Sequence, residues 1–83
     1  MKLTKTERQL ISEASRHHQG LVGAEKFVGR GPEGGKVNYG KRRHNAVQSL
    51  IEKGLAELVE RGRSLQTENG YGIDCYYIVV KIK

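Results

Sequence analysis

The chain has 83 residues, 36% of them hydrophobic, and its 15 Lys and Arg outnumber 9 Asp and Glu for a formal net charge of +6. That length fits one small domain (1–83) with a limited core, and no apolar run approaches the roughly 18 residues of a membrane-spanning helix. A single cysteine, Cys75, excludes an internal disulfide and a thiolate zinc site.

Met1-Lys2 leads into polar residues rather than a signal-peptide pattern, so the expected location is cytoplasmic. Thr4-Lys5-Thr6-Glu7 has the form of a capping box and predicts a helix from there to about His17. Leu10, Ile11 and Ala14 are its core stripe, and Gln19-Gly20 ends it. Leu21-Val22 reads as a short extended piece. Ala24 to Val28 reads as one or two further helical turns, with Phe27 and Val28 facing inward.

Residues 29–38 form a glycine-rich basic loop, with Gly29, Gly31, Gly34 and Gly35 around Pro32. Residues 29–34 satisfy G-x-G-x-x-G, but no βαβ unit surrounds them, so no dinucleotide cofactor is expected. A Walker loop fails as well, since Arg30 stands where its first glycine is needed and Val37 where Ser or Thr should be. The loop reads either as a basic arm, with Arg30 and Lys36 on phosphates, or as an ordinary surface loop.

A helix starting near Tyr39 follows. Ala46, Val47, Leu50 and Ile51 make one apolar stripe at about 100° per residue. Lys41, Asn45, Gln48 and Glu52 lie opposite, flanked by Arg42, His44 and Ser49. Such a face can meet phosphates or base edges, and it is equally what any solvated helix presents. Arg43 projects close to the stripe, where it covers the core edge or pairs with an acid. Gly54 stops the helix, and Leu55 to Val59 is a strand. A wing loop spans 61–70 with a turn at Asn69-Gly70, and Tyr71 to Ile82 is a long final strand with a bulge or a change of burial expected near Tyr76.

Charge is concentrated. From Lys26 to Gln48 six cations face Glu33 alone, the footprint of a polyanion partner. A membrane surface is disfavoured because the basic helix lacks large apolar residues on a free face.

The passage Leu50-Ile51-Glu52-Lys53-Gly54-Leu55 resembles the end of the recognition helix and first wing strand of winged helix-turn-helix DNA-binding domains. The resemblance implies an α+β fold: a small winged helix domain, three helices with a C-terminal β-hairpin wing. It further implies duplex DNA binding, sequence-specific or directed by shape, in a small transcriptional regulator. The helix from Tyr39 would enter the major groove with Lys41, Asn45 and Gln48 nearest the bases. Arg42, Arg43, His44 and Lys36 would hold phosphates, and Arg61 and Arg63 would reach the backbone from the wing. Arg30, Asn38 and Tyr39 complete the candidate contacts.

Alternatives of other classes are an RNA-binding or ribosome-associated basic module, with tyrosines stacking on unpaired bases, and a winged helix that meets an acidic protein. No nucleophile has a base at recognisable spacing, so the chain reads as non-enzymatic, with no cofactor. His17, His18 and His44 have no carboxylate at ligand spacing, so no metal is expected. A homodimer would have to use the first helix or the final strand.

Overall fold

The computed structural model describes residues 2–16, 19–31, 34–68 and 71–83. The elements run α1 (Lys5–Arg16), β1 (Leu21–Arg30), β2 (Lys36–Tyr39), α2 (Lys41–Glu52), β3 (Ala56–Glu68) and β4 (Tyr71–Ile82). The four strands form one antiparallel sheet in the order β2-β1-β4-β3.

This overturns the expected fold of three helices with a C-terminal hairpin wing. Among the described residues there are two helices. The segment 24–28, read as a short helix, lies within β1, where Ala24 pairs with Ile78 and Val28 with Asp74. Much of the expected glycine-rich loop is also sheet, since Gly29 and Arg30 end β1 and residues 36–38 begin β2. Likewise, residues 61–68 of the expected wing loop belong to β3, which runs 13 residues. The expected turn at Asn69-Gly70 lies outside the described residues, with Glu68 and Tyr71 paired across it.

Local chemistry explains the helix boundaries. The Thr4 amide donates to Glu7 Oε1 at 2.8 Å and the Glu7 amide to Thr4 Oγ1 at 3.1 Å, so α1 opens with the expected capping box. At the other end of α2, Leu55 N–H donates to Leu50 O at 2.9 Å and Gly54 N–H to Ile51 O at 3.0 Å. These two bonds make a Schellman stop, and its left-handed residue is Gly54 at φ 74°.

Both helices pack on one face of the sheet, over one half of its length. Leu10 and Ala14 of α1 and Ala46, Val47 and Leu50 of α2 meet Val22, Ala24, Ala56, Ile78 and Val80 from the strands. Beneath α1 the Glu7 carboxylate is buried, with Lys53 Nζ 2.8 Å from both of its oxygens. That ammonium, then the Thr4 amide, lowers its pKa from 4.5 to about 2 against the opposing effect of burial. The ladder has one irregularity, between Leu58 and Glu60. The irregularity thus lies in β3, while near Tyr76 of β4 the alternative of a change of burial holds, with residues 72–77 half-buried and Ile78 and Val80 buried.

Candidate nucleic-acid interface

Cross-strand partners share a face, so register assigns every side chain of the sheet to one side or the other. Beyond the half covered by the helices, the helix side continues with Lys26, Val28 and Arg30 of β1 and Tyr76 and Asp74 of β4. Arg61, Arg63 and Leu65 of β3 join them, as do Asn38 and Lys36 of β2. Five cations therefore share this open half with Asp74, its sole acid among the described residues.

The outer face has the opposite character. Glu25, Glu57 and Glu60 lie there with Lys81, among Leu21, Phe27, Ile73, Cys75, Tyr77 and Val79. Charge is thus sorted by sign across a single layer of backbone.

The bulge contributes to this sorting. Leu58 lies on the helix side of the sheet, and a regular ladder would place Glu60, Gly62 and Ser64 on that side too. The extra residue, Val59, shifts the alternation so that Glu60 turns out and Arg61 and Arg63 turn in.

Helix α2 adjoins the open half. Its N-terminal residue cap is Gly40 at φ 80°, with no side-chain cap, and a Cβ there would run into the Glu25 carbonyl oxygen. The close approach sets the start of the helix against β1. Lys41, Arg42 and Arg43 follow, with no acid in the first turn. Cations at the positive end of the helix dipole destabilise it, and a bound anion relieves that. Lys41, Arg42 and Asn45 are exposed, and Gln48 is half-buried one turn beyond His44. An open groove of about 570 Å³ runs between this surface and the N-terminal turn of α1, lined in part by Thr4, Thr6, Arg42 and Asn45.

Three sequence-predicted contacts are corrected. Arg43 turns inward: Nε donates to Gly23 O at 2.9 Å, and Nη1 and Nη2 donate to the Glu13 carboxylate at 2.8 and 3.2 Å. It takes the acid-paired alternative rather than holding phosphate. His44 is only 3% exposed, and its Nδ1 is buried without a partner. The strands extend beneath the first turn of α2, which puts this flank residue out of a ligand's reach. Burial pushes its pKa below the ordinary 6.5, and the neighbouring Lys26 and Arg61 act in the same direction. Lys26 and Arg61 therefore lie near the sheet-facing side of the first turn of α2. Finally, Tyr39 belongs to the outer face, where its ring stacks on Phe27 at 4.8 Å between centroids.

The structure brings Arg30, Lys36, Asn38, Arg61 and Arg63 together on the open half of the sheet, while Lys41, Arg42 and Asn45 line the groove between α2 and α1 and Gln48 is half-buried on α2. It adds Lys26, Asp74 and Tyr76, which sequence reasoning did not select. Lys26 lay within the basic segment, but only the pairing of β1 with β4 places it beside Tyr76.

Among the described residues no group of three or more His, Cys, Asp or Glu is placed to hold a metal ion, and no helix is long and apolar enough to cross a membrane. His17 and His18 lie outside those residues. No family model, curated protein or solved structure matches the chain.

Proposed function

We propose that this chain binds duplex DNA through the surface formed by α2 and the open, helix-side half of the sheet, and that it serves as a small transcriptional regulator. The observation that carries this reading is the sorting of charge: Lys26, Arg30, Lys36, Arg61 and Arg63 lie on the α2 side, and Glu25, Glu57 and Glu60 on the other. One polyanion can touch all of the former and none of the latter. Neutralising phosphates releases counterions, which supplies affinity that falls with salt. Asn45 and Gln48 can bond base edges, and the sheet cations hold register on the backbone.

Stacking on unpaired bases has less support. Tyr76 is flanked by cations, Lys26 Nζ at 4.9 Å and the Arg63 guanidinium at 5.5 Å from the ring centroid. Tyr77 lies on the outer face, its ring where a Cβ on Gly62 would sit.

The test is fluorescence-anisotropy binding to duplex DNA, single-stranded DNA and structured RNA across a salt series, with the Lys41→Ala/Arg42→Ala variant alongside. The expected result is salt-sensitive duplex binding, with the slope of log affinity against log salt reduced by about two units in the variant. Absence of duplex binding at low salt, or binding confined to single strands or RNA, would overturn the proposal.

A further inference from the structure

Asp74 is an acid in the middle of the proposed polyanion surface, and its placement is specific. Its Oδ1 accepts from Arg63 Nε at 2.8 Å, with the two side chains 25% and 57% exposed respectively. Its cross-strand neighbours on that face, Val28 and Leu65, are apolar and offer the carboxylate no competing hydrogen-bond donor from their side chains. Two residues along β4, Tyr76 has Lys26 as its partner on β1 and Arg63 as its partner on β3. Both cations approach the same ring. Strands two apart lie about 10 Å from each other, so the ring and the carboxylate together pin one cation on each side of the central strand.

We infer that Asp74 and Tyr76 are positioning residues that pre-set Arg63 and Lys26 for contact with backbone phosphates of duplex DNA. The inference rests on the duplex-binding reading above. Free arginine and lysine side chains lose rotamer freedom when they grip a ligand, and a cation already fixed loses less. Asp74 engages the guanidinium through Nε, which leaves the terminal amino groups of the fork to bond a phosphate. The acid costs the surface one unit of attraction and returns an oriented donor.

Charge and orientation predict opposite signs for one substitution. Asp74→Asn removes a negative charge from a polyanion-binding face, so a surface acting by charge alone binds more tightly. A positioned Arg63 binds about three- to tenfold more weakly in the Asn variant, and Asp74→Glu restores most of the loss. Arg63→Lys, which keeps the charge on an exposed side chain and loses the fork, is expected to weaken binding to the same degree. Asp74→Asn combined with Arg63→Ala is expected to bind no worse than Arg63→Ala alone. Duplex affinity at fixed salt measures all five variants, with thermal melts showing that each is folded. Wild-type binding together with an unchanged or tighter Asp74→Asn variant, or with an Arg63→Lys variant equal to wild type, would overturn this inference while leaving duplex binding in place. Failure of the wild type to bind duplex DNA would overturn both.

Discussion

The helix-side face of the sheet has two halves, one covered by the helices and one open, and their inward residues differ accordingly. Under the helices the inward positions are Val22 and Ala24 on β1, Ala56 on β3, and Ile78 and Val80 on β4. Further along the strands Arg61 stands across from Ile78, Lys26, Tyr76 and Arg63 make the next row, Val28, Asp74 and Leu65 the one after, and Arg30 lies beyond. The covered half removes apolar surface from water and supplies the stability of a small domain. The uncovered half holds like charges close together, which opposes folding slightly and which the proposed polyanion would offset.

The sharpest way to break this division is to exchange the readouts. Leu50 has no exposed surface, and Leu50→Ala should lower stability by about 3 kcal/mol in chemical denaturation, the usual cost of a buried leucine with its cavity. Arg61→Ala on the open half should leave stability within about 0.5 kcal/mol. It should lower duplex affinity and remove about one unit of salt slope. A large loss of stability from Arg61→Ala would show that the open half is part of the core.

A second, smaller effect tests the polar support of the covered half. Glu7 is ionised in the fold down to about pH 2, against an ordinary value of 4.5, mainly because Lys53 holds it. A depressed carboxylate contributes stability that is complete above its unfolded pKa and disappears as pH falls through the folded one. Stability should therefore decline between about pH 4.5 and 2. Glu7→Gln should flatten that limb and cost about 2 kcal/mol at neutral pH, because it leaves a partly buried ammonium without its partner. An unchanged acid limb in the variant would assign the transition to other carboxylates. His44 acts nearer neutrality: its pKa is lowered, so its contribution is full above about pH 6.5 and is lost on acidification below that.

Much of the covered half was legible in the sequence, because its signals are local. The capping box at Thr4 and Glu7, the stripe of α2 and the stop at Gly54 each depend on residues within a few positions of one another. The open half depends on pairings between distant residues. Ala24 to Val28 looks helical on its own and becomes strand because β4 lies alongside, with Lys26 opposite Tyr76 fifty residues later. Which side Arg61 and Arg63 occupy depends on the irregularity at Val59, and no turn residue in the sequence marks it. His44 was misplaced for the same reason: a helical projection shows which flank a residue takes, but not how far the sheet extends beneath it.

The finest test separates two adjacent arginines. Arg42 is exposed beside the groove, whereas Arg43 is tied to Glu13 and to the Gly23 carbonyl. The Arg43–Glu13 pair has side chains 42% and 43% exposed, so solvent screens it, and Arg43→Ala should cost only about 0.5–1 kcal/mol. Part of that loss comes from leaving Gly23 O without its donor at a stretch of β1 not paired with β2. Duplex affinity should be unchanged, since this guanidinium already serves the junction of α1, α2 and β1. Arg42→Ala should do the reverse, leaving the denaturation midpoint in place and weakening duplex binding about threefold or more with one unit less salt slope. Equal losses of affinity from the two variants would mean that Arg43 releases Glu13 to reach the ligand, and the boundary between the supporting and contacting surfaces would then pass on the far side of that residue.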